Sequence, residues 1–319
     1  MCGHFAYRSK QRGPYRGCGE EAYRRWMEYN RKKTICGENR NSYSKTDTDA
    51  TFMHMKDDHM RNSQLKPGYN VQFAVNSGFI TGIGVFRNRT DFGTLIPFLT
   101  YLWHKHGKSY RDVVADSGYE SLANYRWLFE NGQTAFIKPA NYESGKKRSS
   151  KEQVGRMENM GYYEPDDCFI CKNGRHLDLS FHYTSHAKDG TERKISIYRC
   201  EDCSDCPYRA ACCKAKDSEK RKEIFVCWEF QNLRNNSYHN ITTEEGKLLR
   251  CNRFIQAEGA FGQLKHNRNF KRFLTGGKVK VLAELLFLGL SQNIAHLLAK
   301  CNSGLQNLHL IQPKAYLNF

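Results

Sequence analysis

No stretch of this 319-residue chain reaches the roughly 20 consecutive apolar residues that span a bilayer. The longest, Val279 to Leu290, is interrupted by Lys280, Glu284 and Gly289. The opening residues, MCGHFAYRSKQRG, hold no apolar signal-peptide core, and no internal repeat is found. These absences give the expectation of a soluble intracellular chain with no membrane partner. Acidic residues are also scarce: 33 Asp and Glu face 50 Lys and Arg, a formal net charge of +17. The imbalance is local, with nine basic against three acidic residues in 1–33 and nine against one, Glu258, in 247–280. Such a field favours a polyanion as partner, held by phosphate contacts that weaken steeply with salt. Disorder is excluded by what is plentiful: 18 Tyr, 19 Phe and 4 Trp accompany a mean hydropathy of −0.74.

Thirteen cysteines raise the question of compartment. In an intracellular chain most stay reduced, so a dense cluster reads as a metal site before a disulfide. The cluster is Cys200-x2-Cys203-x2-Cys206-x5-Cys212-Cys213, preceded by Cys168-x2-Cys171. Thiolates two residues apart can bite one ion, and four of them suit tetrahedral Zn²⁺. Cys200, Cys203, Cys206 and Cys212 form the expected set, with Cys171 or Cys213 able to replace one member. Four thiolates leave no open position for water, so the role expected of that zinc is structural. Cys2, Cys18, Cys36, Cys227, Cys251 and Cys301 are isolated and read as ordinary small residues.

Residues 1–41 read as a basic, poorly ordered arm with one helical patch at Glu20–Arg31, and 42–70 as mostly loop. From Val71 the two-residue alternation of Val71, Phe73 and Val75 predicts a half-buried strand, Asn76-Ser77-Gly78 a turn, and Phe79–Phe86 the return strand. Thr90 and Asp91 can cap a helix whose Leu95, Phe98, Leu99 and Leu102 share one face. Pro97 implies that this helix is either kinked or starts late. A strand at Tyr110–Ala115, a helix at Ser121–Asn131 and a strand at Thr134–Lys138 complete a β-β-α-β-α-β order, a mixed α/β sheet. The expected division is 42–140 for the first part of an α/β domain, 141–243 for a Cys-rich insertion, 244–300 for a helical part and 301–319 for a tail.

Two carboxylates stand out. Asp116 ends a strand before a small Ser-Gly turn, where the strand fixes a ligand and the turn leaves room. Its plainer reading is a turn or helix cap. Glu258 lies in NRFIQAEGAFGQLK, beside a helical stripe of Phe254, Ala257, Phe261 and Leu264. A lone acid among bases is either ion-paired or a Mg²⁺ ligand beside bound phosphates.

Three blocks, KTDTDATFMHMKDDHMRNSQLKPGYNVQ, ADSGYESLANYRWLFENG with AFIKP, and RFIQAEGAFGQLK with FKRFLTGG, resemble bacterial insertion-sequence transposases with a DDE, RNase H-like domain. The resemblance covers Arg40 to Ala299. It implies a retroviral-integrase-like sheet, the second Asp at Asp116 and the Glu at Glu258, with two Mg²⁺ (or Mn²⁺) ions driving phosphoryl transfer. It implies transposon ends and target DNA as partners, a homodimer during strand transfer, and a place at the nucleoid in the bacterial cytoplasm. Arg253 and Lys265, with Arg268, Lys271 and Arg272, are the expected phosphate contacts, helped by Asn252 and Gln256. The Cys cluster resembles a Cys-rich segment that some family members carry between these blocks. The family's first Asp, in an Asp-Gly-Thr strand, lies upstream of the block that starts at Arg40, and residues 1–39 contain no Asp. The expectation is therefore an N-terminally truncated transposase with impaired catalysis, in which Asp47 or Asp49 is the nearest substitute. The alternative is a zinc-stabilised DNA-binding remnant without catalysis.

Overall fold

The computed structural model describes residues 19–37, 40–54, 63–213, 220–264, 270 and 272–304. The chain divides into two units, one formed by residues 1–72, 83–89 and 269–291, the other by 73–82, 90–268 and 292–319.

In the first unit, α1 (Glu20–Cys36) runs longer than the sequence patch suggests and buries none of its residues. Arg40 organises the segment after it. Its guanidinium is buried and donates to the carbonyl oxygens of Ile35, Cys36, Thr48, Asp49 and Ala50. Five backbone acceptors on one always-charged group tie this irregular segment together. Part of the stretch expected to be loop is paired: β1 (Thr51–His54) runs antiparallel to β2 (Leu65–Gly68), Thr51 opposite Gly68. The strand escapes pattern reading because LKPG carries both Pro67 and Gly68, which a two-stranded ladder tolerates.

The second unit carries the α/β elements. β3 (Asn70–Asn76) and β4 (Phe79–Phe86) form the expected hairpin, shared by sequence between the units. Its turn uses positive φ at Ser77 (54°) and Gly78 (84°), the two-residue geometry that suits strand twist. α2 (Leu95–His106) starts late, so Pro97 falls in its first turn, where no backbone N–H is needed. Leu95, Phe98, Leu99 and Leu102 are buried as expected. Gly82 of β4 lets this face approach, since a Cβ there would lie 2.2 Å from Leu102 Cδ2.

β5 (Asp112–Ala115) and β6 (Thr134–Ile137) pair in parallel across the crossover helix α3 (Leu122–Glu130). The resemblance implies one mixed sheet. Among the described residues, β3–β4 and β5–β6 remain separate two-stranded ladders, and no described strand is hydrogen-bonded to both.

After the short helices α4 (Tyr142–Lys146) and α5 (Arg148–Lys151) comes an antiparallel sheet in the order β11-β10-β9-β8-β7. Its strands are β7 (Gly161–Tyr163), β8 (Cys168–Ile170), β9 (His176–His186), β10 (Glu192–Cys200) and β11 (Glu223–Val226), with α6 (Arg209–Cys212) before the last. Phe169, Leu177, Tyr198, Cys200, Cys203, Ile224 and Val226 form its buried core, with Trp228 packed against them. The Tyr198 hydroxyl donates to Asp167 at 2.6 Å and accepts from Trp228 Nε1 at 2.9 Å, so the buried phenol is satisfied.

α7 (Trp228–Thr242) completes the edge of β6. Ser237 Oγ accepts from Ile137 N at 2.9 Å and donates to Ile137 O at 3.0 Å, while Asn240 Nδ2 donates to Ala135 O. Helix side chains thus supply the partners that a next strand would supply. Tyr125, Leu128, Ile137 and Ile241 are fully buried in this unit. α8 (Glu244–Arg253) follows at once, because Gly246 permits a turn in which a Cβ would sit 1.9 Å from Asn240 O. The helix then widens to a π-helical turn, Phe254–Glu258, and continues as α9 (Gly259–Gly262).

The last helix, α10 (Lys278–Ser303), begins in the first unit with Val281 and Leu285 buried and ends in the second. At 26 residues, with a window of mean hydropathy 1.5, it is long and apolar enough to cross a membrane. Lys280 and Glu284 fall in its first two turns, so they shorten the apolar run without ending the helix.

Candidate active site

Asp116 directly follows β5 and caps a 3₁₀ turn, Ser117–Tyr119. Its Oδ1 accepts from Gly118 N at 2.9 Å, and its Oδ2 accepts from Arg253 Nη2 at 3.1 Å. The other guanidinium nitrogen of Arg253, Nη1, lies 3.6 Å from Glu258 Oε1. One side chain therefore gathers the two carboxylates that the sequence places far apart. The cap reading of Asp116 holds for Oδ1, while Oδ2 is turned to Arg253.

The π turn sets the direction of Glu258. The buried positions are Asn252, Ala260 and Leu264, with Gln256 half-buried between them. A four-residue repeat is wider than the 3.6 of an α-helix and suits a π-wound segment. The expected stripe is corrected accordingly: Phe254 is 62% exposed, whereas Phe261 stacks on Phe73 at 4.3 Å. Asn252 and Gln256 are committed within the fold. Gln256 Nε2 donates to Asn252 Oδ1, and Gln256 Oε1 accepts from Gly78 N at 3.0 Å.

A third carboxylate, one that sequence reading assigned to a helix cap, stands beside these two. A Cβ on Gly118 would lie 3.1 Å from Asp116 Oδ1 and 3.1 Å from Asp91 Oδ2, so both acids flank the space that the glycine leaves open. Burial first, then the charges of Asp91 and Asp116, push the Tyr119 phenol above its ordinary range, while Arg253 opposes them. The cap of α2 is Thr94, whose N–H and hydroxyl both donate to Asp91 O, leaving the Asp91 carboxylate to point elsewhere. The position of Asp91 four residues before the helix, rather than one, was the available signal.

Asp91 and Asp116 flank the space at Gly118, and Asp116 and Glu258 share Arg253; carboxylate oxygens of this kind suit Mg²⁺ or Mn²⁺. The observation that tests this fit is Arg253: the carboxylates already share one cation, so a positive charge between them is what their geometry accommodates.

Asp47 and Asp49 serve a different end. Asp47 Oδ2 accepts from Tyr69 Oη at 2.5 Å and Gly277 N at 3.1 Å, and Asp49 Oδ2 accepts from Lys278 N at 2.9 Å while its Oδ1 pairs with Arg87. Both anchor the start of α10, whose first N–H groups need acceptors. Burial works against the charged form of Asp47, but the bonds from Tyr69 and Gly277 outweigh it and hold its carboxyl below the usual range. An Asp-Gly-Thr does occur, at 189–191. It forms the β9–β10 turn, with Asp189 Oδ1 accepting from Thr191 N.

Of the expected phosphate contacts, Arg253 is engaged with the two carboxylates and Arg272 is exposed. Lys265, Arg268 and Lys271 lie outside the described residues.

The described cysteines are free thiols. Cys200, Cys203, Cys206 and Cys212 line one small pocket together with Cys171, Cys213, Arg175, Arg209 and Lys222. Burial first, then hydrogen bonding with Cys203, pushes the Cys200 thiol up to about 12. Lys222 N donates to Cys203 Sγ at 3.3 Å. Asp202 also lines the pocket and pairs with Arg175 at 2.8 Å; soft sulfur donors with a backbone N–H on one of them fit a thiolate-bound Zn²⁺.

Residues 170–298 match the family described as a transposase DDE domain. The matched stretch begins in β8, runs through the cysteine pocket and Glu258, and ends within α10, while Asp91 and Asp116 precede it. The resemblance to DDE transposases, read first from the three sequence blocks, is borne out by this match. No curated protein and no solved structure matches the chain.

Proposed function

We propose that the chain is a DNA transposase whose strand cleavage and strand transfer run at the Asp116–Glu258 pair, with Asp91 as the third acid. The observation that carries this reading is the single guanidinium of Arg253 spanning Asp116 and Glu258. When bound, Mg²⁺ or Mn²⁺ would activate water or a DNA 3′-OH and stabilise the leaving oxygen. The chain's own part is positional. Asp116 is fixed by Gly118 N, Glu258 by the π turn, and Arg253 is freed to face a phosphate once a metal takes over its carboxylates. The RNase H-like assignment fits the β-β-α-β-α-β order and the strand-end place of Asp116. The cysteine pocket, set within an insertion at 141–243, would hold a structural Zn²⁺.

Catalysis is expected to be weak. The family's first Asp belongs to a central strand, and here the third carboxylate comes from a loop, where a metal ligand is held less firmly. Asp47 and Asp49 do not supply it, because fixed backbone N–H groups already hold them. That last observation favours the second reading, a zinc-stabilised DNA-binding protein without cleavage.

Incubating the protein with Mn²⁺ and duplex DNA carrying the sequences that flank its gene separates the two. Cleavage that vanishes in Asp116→Asn and in Glu258→Gln supports the transposase. Salt-sensitive DNA binding without any cleavage supports the second reading, and cleavage retained in both variants removes the proposed site.

A further inference from the structure

Cys168 and Cys171 read as one ligand pair in sequence, but the β8–β9 hairpin sends them to different places. Cys171 lies just past β8 and lines the cysteine pocket, whereas Cys168, inside the strand, does not. Instead, Cys168 stands directly opposite Asp178 in the antiparallel register, and His176 precedes Asp178 by two residues. Opposed residues, and residues two apart, share one face of a sheet. The Cys168 sulfur, a His176 ring nitrogen and an Asp178 oxygen all lie within 4.8 Å of one another, with Cys168 Sγ 3.7 Å from His176 Nδ1.

We propose that Cys168, His176 and Asp178 form a second transition-metal site, separate from the cysteine pocket and independent of the catalytic reading. Two charged neighbours already have partners of their own. Asp167 takes hydrogen bonds from Tyr162 and Tyr198, and Arg199, opposite Asp178 on β10, pairs with Glu223 at 2.7 Å. The hairpin loop is fixed by Cys171 N to Arg175 O and Gly174 N to Cys171 O, both 2.9 Å. Thiolate, imidazole and carboxylate together suit Zn²⁺ and exclude Mg²⁺, which avoids sulfur. Cys168 is buried and Asp178 exposed, so three protein ligands leave a fourth position toward solvent.

The test is metal content of the full-length protein after loading with excess Zn²⁺ and dialysis, with Co²⁺ absorption as a second readout. Wild type is expected to hold about two ions per chain, one in each site. His176→Ala and Asp178→Asn each lose one and keep their thermal transition, since neither side chain is part of the core. Cys203→Ser loses the other ion and retains the ion at His176. For Co²⁺, the sulfur-to-metal band lost in Cys168→Ser would be that of one thiolate. Metal content unchanged from wild type in folded His176→Ala and Asp178→Asn overturns the proposal, whatever the cysteine pocket holds.

Discussion

Two pairs of carboxylates, Asp47 with Asp49 and Asp116 with Glu258, differ in what holds them. The first pair is bonded to the N–H groups of Gly277 and Lys278 at the start of a helix, donors that cannot leave without unwinding it. In the second, Asp116 Oδ1 is held by Gly118 N, but Asp116 Oδ2 and Glu258 Oε1 face the guanidinium of Arg253, a side chain that can swing away. A carboxylate can be given to a metal only if its present partner is replaceable. By that criterion the proposed site keeps one replaceable contact on each of Asp116 and Glu258, whereas Asp47 and Asp49 each have an oxygen on a backbone N–H at the helix start.

The contrast is broken or sharpened by substitution. Asp116→Asn or Glu258→Gln should reduce metal-dependent cleavage at least about 100-fold, the scale of losing one preorganised charged group. The melting temperature should change little; a large fall would assign these residues to the fold instead. Arg253→Ala should raise Mn²⁺ affinity about threefold to tenfold, since two partly exposed ion pairs no longer compete, while weakening DNA binding. Titration calorimetry would show this, and weaker Mn²⁺ binding would mean that the guanidinium positions the acids rather than standing in for the ion.

Asp47→Ala should cost about 1–2 kcal/mol as a lost helix anchor, seen as a lower melting temperature. The smallest effect is on pH. Asp47 has its folded pKa below its ordinary 3.8, so its contribution is complete above that value and is lost as the pH falls through the folded pKa. Between pH 5 and pH 3 (both about, set by the ordinary carboxylate range), the wild type should lose more stability than Asp47→Asn. Parallel curves would refute the anchoring role.

Much of the α/β core could be read from periodicity. The β3–β4 hairpin, α2, β5, α3 and β6 all fall where alternation and turn residues put them. β1 and β2 could not, because each is only four residues long and a Pro-Gly strand has no alternation to read. The apolar stripe around Glu258 misses at Phe254 because a 3.6-residue period does not hold where the chain winds wider. Asp116 and Glu258 stood out in sequence, and the fold brings both to Arg253. Asp91 was hidden behind a cap signal, whereas the N-cap position falls on Thr94. Cys168 was grouped with Cys171 by spacing alone. Three residues apart in extended chain means opposite faces, and the alternation of His176 and Asp178 with Leu177 and Leu179 was the better guide.

The π turn before Glu258 also bears on how this segment compares between related chains. A π turn is an α-helix that has absorbed one surplus residue, so the helix on either side keeps its phase. A homologue one residue shorter between Arg253 and Glu258 would wind as plain α-helix and present its glutamate in the same direction. In an alignment, a single gap there marks conserved geometry, whereas an ungapped match could hide a glutamate turned about 100° away.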